Sequence, residues 1–229
     1  VDPILRRDIS KLAARMAAAG MLRTVTHKRS TVGMFTVVKK VVDRDESRSD
    51  GTLVWPAGTI VLRLVLDQRI PNLFWQDPPW IPLGGPGALS SLDLSGVAPP
   101  GEVELCLATG DVPDYYYRLG LPDAISEWFC LPGVTLGGLV GELQRQGLGE
   151  AATAFSGSHS DACYVGLVAP AMGWSWAVFV AQSFLIDQLL KVPGLRSEDF
   201  LVESSPPPAL SRGAPYLIFC HIDDFGFLR

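Results

Sequence analysis

Apolar positions along the chain predict both helices and strands. A helical spacing of apolar residues predicts a helix over residues 9–21 and further helical pieces between residues 124 and 155. Runs rich in β-branched residues predict strands over residues 34–42 and 59–67. The charged stretch between these strands, residues 43–51, has the composition of a solvated hairpin tip. Both helices and strands are therefore expected within the first 155 residues.

Stretches rich in Pro and Gly mark the connections between these elements. Residues 76–101 predict a connecting loop, and residues 191–210, with three consecutive prolines, predict a surface excursion. The apolar runs 216–219 and 225–228 then flank a short polar centre, which predicts two strands joined by a tight turn. With 229 residues, the chain forms one or two domain-sized units.

One segment raises the question of a membrane. The 25 residues from 162 to 186 contain no charged side chain, and a segment of that length could span a bilayer. Pro170 and Gly173 interrupt it. Its flanking charges are Asp161 and Asp187, whereas Lys or Arg is expected on a cytoplasmic side. A strand, a turn near Pro170 and Gly173 and a buried helix explain the segment better, with a membrane span as the alternative.

Composition and cysteine usage restrict the class of protein. Hydrophobic residues make up 48% of the chain and charged residues 19%, which is typical of a globular protein. The four cysteines are widely spaced and include no C-x-x-C pair, so neither a zinc site nor a disulfide framework is indicated. Reduced, buried thiols in an intracellular protein of the cytoplasm or the nucleus are the expected state.

Charge is unevenly distributed along the chain. The net charge is −5, yet residues 1–40 carry nine Lys or Arg against two Asp. A basic N-terminal segment is suited to binding nucleic-acid phosphates, and the acidic region that follows it is suited to supplying metal-binding carboxylates. For residues 6–15 alone, a solvated helix face explains the same charges equally well.

Asp223 and Asp224 stand side by side between two apolar runs. Carboxylates in such a place are partly desolvated and repel one another, so they need a compensating cation or must take up a proton. Oxygen ligands suit Mg²⁺. An exposed Asp-Asp pair at a hairpin tip is the alternative, and the sequence upstream decides between the two.

Four blocks of the chain, taken in order, resemble the motifs of reverse transcriptases. The blocks are Arg63-x-x-x-Asp67-x-Arg69-x-x-Asn72, Asp111-Val112-Pro113-Asp114-Tyr115-Tyr116, Pro170-Ala171-Met172-Gly173 and His221-Ile222-Asp223-Asp224. Each block is weak alone, but four in the right order, with plausible gaps, form a strong signal. The resemblance covers about residues 35–229.

The resemblance implies an α+β right-hand polymerase, with an antiparallel palm sheet and packed helices. Fingers are expected at residues 1–76 and 122–165, and palm at residues 77–121 and 166–229. The thumb, and any ribonuclease H or integrase region, would lie outside the 229 residues. The implied partners are an RNA or DNA template with its primer and deoxynucleoside triphosphates, and no membrane.

The same resemblance assigns site residues. Asp111 and Asp223 would bridge two Mg²⁺ ions, or Mn²⁺, with Asp224 as a supporting carboxylate and the Val112 carbonyl as an extra ligand. The remaining nucleotide-binding candidates are Lys39, Lys40, Arg63, Met172 and Gly173. Arg69 and Asn72 would touch the template or hold the fingers. Met172 replaces the Gln common at its place in the family, and Val178 replaces a common Pro.

Tyr116, five residues after Asp111, is the expected gate for the sugar. An aromatic ring beneath the sugar leaves no room for a 2′-hydroxyl, whereas RNA-dependent RNA polymerases generally place an Asp at that spacing and have Gly-Asp-Asp in the hairpin. The chain has Tyr116 and Ile222-Asp223-Asp224, which indicate DNA synthesis. The alternatives are an RNA-dependent RNA polymerase with the same palm and a non-catalytic remnant that binds nucleic acid.

Overall fold

The structure, a computed structural model, describes residues 6–49, 52–92, 106–156, 164–208 and 216–229. Its chain divides into two compact units, the first formed by Val1–Trp75 and Gly120–Trp174 and the second by Gln76–Leu119 and Ser175–Arg229. The assignment of these units to fingers and palm stays a prediction. Small antiparallel sheets and helices occur in the described parts, so the fold is mixed α and β.

The helices in the described part of the chain are short. In chain order they are α1 (Arg6–Ala18), α2 (Arg69–Asn72), α3 (Pro86–Ser90), α4 (Tyr115–Arg118), α5 (Asp123–Ser126), α6 (Leu136–Arg145), α7 (Gly149–Ser156) and α8 (Ala177–Leu189). The helical pieces expected between residues 124 and 155 are thereby confirmed.

The strands form four small sheets among the described residues. In chain order they are β1 (Leu22–Val25), β2 (Gly33–Val41), β3 (Glu46–Ser47), β4 (Leu53–Trp55), β5 (Ile60–Asp67), β6 (Leu107–Asp111), β7 (Tyr164–Leu167), β8 (Leu217–His221) and β9 (Asp224–Leu228). β1 pairs with β7, β2 with β5 and β3 with β4, while the fourth sheet has the order β6–β9–β8. Every one of these pairings is antiparallel.

Helix α1 ends earlier than its apolar pattern predicts. Gly20, at φ +71°, donates from its backbone N–H to the Ala17 carbonyl at 3.0 Å, and Met21 donates to the Met16 carbonyl at 2.9 Å. This pair of bonds is the glycine-terminated helix end in which the following apolar residue turns back onto the helix. Met21 therefore follows the helical spacing without being helical, and the predicted end of the helix was wrong.

The hairpin β2–β5 confirms the strands predicted at residues 34–42 and 59–67. The predicted tip, residues 43–51, is not all loop, because Glu46–Ser47 pairs with Leu53–Trp55 as a further small sheet. Residues 50 and 51 of that tip lie outside the described residues. The charged composition correctly indicated exposure, since Asp43 to Ser49 are exposed, but it hid the short pairing.

The second unit contains the sheet β6–β9–β8 with helix α8 packed on one face. Buried residues of α8, Ala181 and Leu185, pack with Ile218 and Cys220 of β8. Further along the sheet, Leu217 and Leu228 pack in a separate cluster with Ala88 and Leu201. The two strands and tight turn predicted at the polar centre are confirmed as β8, β9 and the residues between them.

The long uncharged segment is divided between two elements. Its described part forms strand β7, a turn in which Trp174 donates to the Ala171 carbonyl at 3.0 Å, and helix α8. The predicted strand, turn and helix are thereby confirmed. No helix in the described ranges is long and apolar enough to cross a membrane.

Two details of the second unit correct the sequence-based expectations. Residues 191–208, the described part of the predicted surface excursion at 191–210, are not simply a surface excursion, because Leu201 is buried and its N–H donates to the Ile218 carbonyl at 2.6 Å. The Gly84 N–H likewise donates to the Cys220 carbonyl at 2.7 Å, so both contacts cover the outer edge of β8.

Among the cysteines, Cys130 and Cys220 are buried as expected, whereas Cys106 is exposed and Cys163 lies outside the described residues.

Candidate active site

Two carboxylates face each other at one end of the sheet in the second unit. Asp111, the last residue of β6, is the direct cross-strand partner of Asp224, the first residue of β9. His221, the last residue of β8, is in turn the partner of Asp224. Directly paired residues of antiparallel strands project from the same face of a sheet, so Asp111, Asp224 and His221 form one row. All three are exposed.

Asp223 occupies the two-residue turn between β8 and β9. Its backbone carbonyl accepts a hydrogen bond from the Val112 N–H at 3.0 Å, which ties the turn to the residue that follows β6. This bond extends the pairing of the two motifs by one residue beyond Asp111 and Asp224. The proposed ligand Val112 thus has its N–H engaged and is half-buried.

No cation offsets these negative charges within the described part of the chain. Neither Asp111, Asp223 nor Asp224 forms an ion pair with a described residue. The same part of the chain contains no group of three or more His, Cys, Asp or Glu side chains that could hold a metal ion by itself. Mg²⁺ does not require such a group, since it is usually bound by one or two carboxylates together with waters and substrate phosphates. The donor type and the cross-strand placement of Asp111 and Asp224 therefore fit Mg²⁺.

Close backbone contacts beside the carboxylate row depend on glycine. A Cβ atom on Gly226 would lie 2.2 Å from the Phe219 ring and 2.8 Å from the Ala108 carbonyl oxygen. A Cβ atom on Gly110 would lie 2.5 Å from the Phe225 ring. Any side chain at either position would displace an aromatic ring next to the strands that carry Asp111 and Asp224.

Three consecutive tyrosines after β6 have three different environments. Tyr115 is buried, and its hydroxyl donates to the Ala181 carbonyl at 2.9 Å. Tyr117 is 49% exposed. Tyr116 is half-buried against the core formed by α8 and the sheet, and burial together with the negative charge of Asp223 raises the pKa of its hydroxyl. Tyr116 is thus the tyrosine that combines partial exposure with proximity to Asp223.

The cationic candidates of the first unit differ in whether they form ion pairs. Lys39 lies where the β2–β5 register shifts between Val38 and Lys40, so it is the extra residue of a β-bulge. Lys40 forms an ion pair with Glu46. Lys39 and Arg63 are exposed and form no ion pair with any described residue.

Arg69 and Asn72 hold local structure in the first unit. The Arg69 guanidinium binds both oxygens of Asp67, and this ion pair holds the pKa of the Asp67 carboxyl below its usual value. Asn72 donates from its side-chain amide to the Gly173 carbonyl at 2.8 Å. Gly173 has φ +95°, a conformation that favours glycine. These contacts hold local structure at the end of β5, and the template-binding role of Arg69 and Asn72 stays a prediction.

These residues border a groove of about 420 Å³ in the first unit. Met172, Gly173, Arg69 and Asn72 line it together with the end of β5. Met172 is 62% exposed, so its apolar side chain reaches solvent at the border of this groove. The nucleotide-binding role of Met172 and Gly173 stays a prediction.

Sequence analysis missed two residues of this region. His221 stands in the carboxylate row because a two-residue turn makes the residues on either side of it, three apart in sequence, cross-strand partners. That spacing was visible in the sequence and could have identified His221. Gln182, which bonds to the backbone of the turn, gave no such signal, because helix α8 also contains Ser183 and Gln188 and nothing in the sequence distinguishes Gln182 from them.

No protein-family model matches this chain, and no curated protein matches its sequence. A functional assignment therefore depends on the motif residues and on where the fold places them.

Proposed function

We propose that the chain is the fingers and palm part of a reverse transcriptase, an RNA-directed DNA polymerase of a retrotransposon-like element. The observation that carries the proposal is the pairing of Asp111 with Asp224, next to Asp223 in the adjoining turn. Residues of two motifs more than a hundred positions apart thus place three carboxylates at one end of one sheet. A surface Asp-Asp pair with no catalytic role does not require a third carboxylate on the neighbouring strand.

Asp111 and Asp223 are the proposed metal ligands, with Asp224 in support and the Val112 carbonyl as an additional ligand. Mg²⁺ or Mn²⁺ ions bound there as a pair would stabilise the charge on the attacking 3′-hydroxyl and on the departing pyrophosphate. The carboxylates fix the place at which these charges develop. The short turn supports this role, because the Val112 N–H holds the Asp223 backbone against the strand that carries Asp111.

Positive charge for the triphosphate comes, in this proposal, from Lys39 and Arg63. Both are exposed and free of ion pairs among the described residues, so neither needs to give up a partner to bind phosphate. Lys40 is the weaker candidate, because its contact with Glu46 would have to break. Arg69 and Asn72 act by holding the groove that Met172 and Gly173 border.

Tyr116 is the proposed gate against ribonucleotides. Its half-buried ring beside Asp223 supports the assignment, because the other two tyrosines are respectively buried in the core and exposed. A template-dependent RNA polymerase is the second candidate, and the nucleotide preference of the protein distinguishes the two.

Template-directed primer extension tests the proposal, using the full-length protein. Deoxynucleotide incorporation should require Mg²⁺ or Mn²⁺ and fall by about 100-fold or more in Asp111→Asn or Asp223→Asn, because each removes a metal-binding charge. Asp187→Asn removes an exposed carboxylate of α8 that pairs with Lys191, and it should leave incorporation unchanged. Activity that survives both active-site substitutions would overturn the proposal.

A further inference from the structure

One buried side chain contacts the backbone of the turn that carries Asp223 and the backbone of the strand that enters this turn. Gln182 of helix α8 is 1% exposed. Its amide nitrogen donates to the Cys220 carbonyl at 2.9 Å and to the Pro82 carbonyl at 2.8 Å. Its amide oxygen accepts from the Ile222 N–H at 2.7 Å. The side chain therefore joins α8, the end of β8 and the loop before α3.

These partners allow a single orientation of the Gln182 amide. Two of its neighbours are carbonyl oxygens, which only accept, and the third is an N–H, which only donates. Turning the amide over would set its oxygen against two carbonyl oxygens. A Gln at this place is thus fixed by its surroundings and fixes the Ile222 N–H in return.

Ile222 needs such support because its backbone is strained. Its φ is +62°, a left-handed conformation that is a genuine outlier for a β-branched residue. Strained conformations of this kind persist only where neighbouring contacts over-determine them. On one side of the turn the contact comes from Gln182, and on the other the Asp223 carbonyl is held by the Val112 N–H.

We propose that Gln182 is a positioning residue of the active site. It holds the left-handed conformation of Ile222 and thereby the direction in which the next residue, Asp223, presents its carboxylate. The inference rests on the proposed function, because the proposed function is what makes Asp223 a metal ligand. Gln182 itself is buried and acts only through the backbone of the turn.

Amide hydrogen exchange, followed by NMR, tests the first half of the inference in the chain as it stands. The Ile222 N–H should exchange slowly in the native protein, and exchange should quicken by about tenfold in Gln182→Met, which keeps the length of the side chain and removes its hydrogen bonds. Gln188→Met makes the same chemical change on the same helix, where the amide bonds to Asp187, and should leave Ile222 protected. An unprotected Ile222 N–H in the native protein would overturn the inference even if Gln182→Met fails to fold.

Metal binding tests the second half. Mn²⁺ titration followed by electron paramagnetic resonance should show affinity weakened by about tenfold in Gln182→Met and unchanged in Gln188→Met. Equal Mn²⁺ affinity in folded Gln182→Met and native protein would overturn the positioning role.

The two proposals fail in different ways. If the native protein binds no Mn²⁺, or if Asp111→Asn binds it as tightly as the native protein, the proposed function is wrong, whereas the exchange of the Ile222 N–H still decides whether Gln182 holds the turn. If the native protein binds Mn²⁺ through Asp111 and Gln182→Met leaves both exchange and affinity unchanged, the positioning role alone is wrong.

Discussion

Tyr116 lies within electrostatic reach of Asp223. Burial, as the larger cause, and the negative charge of that carboxylate, as the smaller, raise the pKa of the Tyr116 hydroxyl. The phenol therefore stays neutral well above physiological pH. In the proposed site, Tyr116 would therefore offer a neighbouring nucleotide the volume of an uncharged ring. A steric role for it needs nothing more.

Shrinking Tyr116 should relax the discrimination between sugars. In the full-length protein, Tyr116→Val should increase ribonucleotide incorporation relative to deoxynucleotide incorporation, because room appears for the 2′-hydroxyl. Primer extension with each nucleotide pool measures the ratio. Tyr117→Val, at an exposed neighbour, is the matched control and should not change it. A wild-type protein that already prefers ribonucleotides would favour the RNA polymerase alternative.

Tyr115 should make the second unit sensitive to alkali. Burial, and then the charges of neighbouring groups, raises the pKa of Tyr115 to about 12. Because the folded pKa lies above the unfolded value of about 10, this stabilisation is complete below about pH 10 and is lost as the pH rises toward the folded value. Urea unfolding at a series of pH values should show this fall.

Tyr115→Phe should reduce that alkaline fall in the free energy of unfolding. It should also cost about 1 kcal/mol near neutral pH, since the hydrogen bond to the Ala181 carbonyl is lost. An alkaline fall of the same size in Tyr115→Phe would assign it to other groups, among them Cys220, whose thiol pKa burial raises to about 12.

Gly226→Ala should destabilise the protein and disturb the carboxylate row. The new methyl group would overlap the Phe219 ring and the Ala108 carbonyl, and overpacking of this kind costs about 1–3 kcal/mol. Gly137→Ala is the control, since a Cβ at that position of helix α6 has no other atom within 4 Å. Chemical denaturation measures both, and the control should be neutral or stabilising. Equal unfolding midpoints for the two variants would contradict the close contact at Gly226.

Arg63→Ala should mainly raise the KM for deoxynucleoside triphosphate. An exposed guanidinium that binds phosphate contributes to substrate binding more than to the chemical step, so a rise of about tenfold is expected with a smaller change in kcat. Steady-state primer extension gives both constants. Arg44→Ala removes an exposed cation of the same hairpin and should leave the KM as it is. An unchanged KM in Arg63→Ala would remove Arg63 from the site.

Local sequence patterns predicted many of the secondary-structure elements correctly. The strands β2 and β5 and the hairpin β8–β9 are short apolar runs bounded by polar residues, and their sequence determines them closely. The early end of α1 was missed because Met21 continues the apolar spacing while Gly20 ends the helix. The burial of Leu201 was missed because the open edge of β8 creates it, and no pattern near Leu201 carries that information.

The candidate site likewise contains residues that the sequence indicates and residues that only distant contacts reveal. Asp111, Asp223 and Asp224 could be named from their motifs, but their meeting depends on the β6–β9 register, which joins distant parts of the chain. The ion pair between Arg69 and Asp67 follows from their spacing of two residues. Gln182 could not be named, because its role comes from three backbone partners distant from it in sequence.

The pairing of Asp111 with Asp224 also has a consequence for how the chain folds. More than a hundred residues separate the two partners. Closing a loop of that length carries an entropic cost before any contact rewards it, so such pairings tend to form slowly. A ribosome releases Asp111 well before Asp224, so contacts between residues closer in sequence can form before this pairing does. The two carboxylates therefore meet through a pairing that local contacts alone cannot establish.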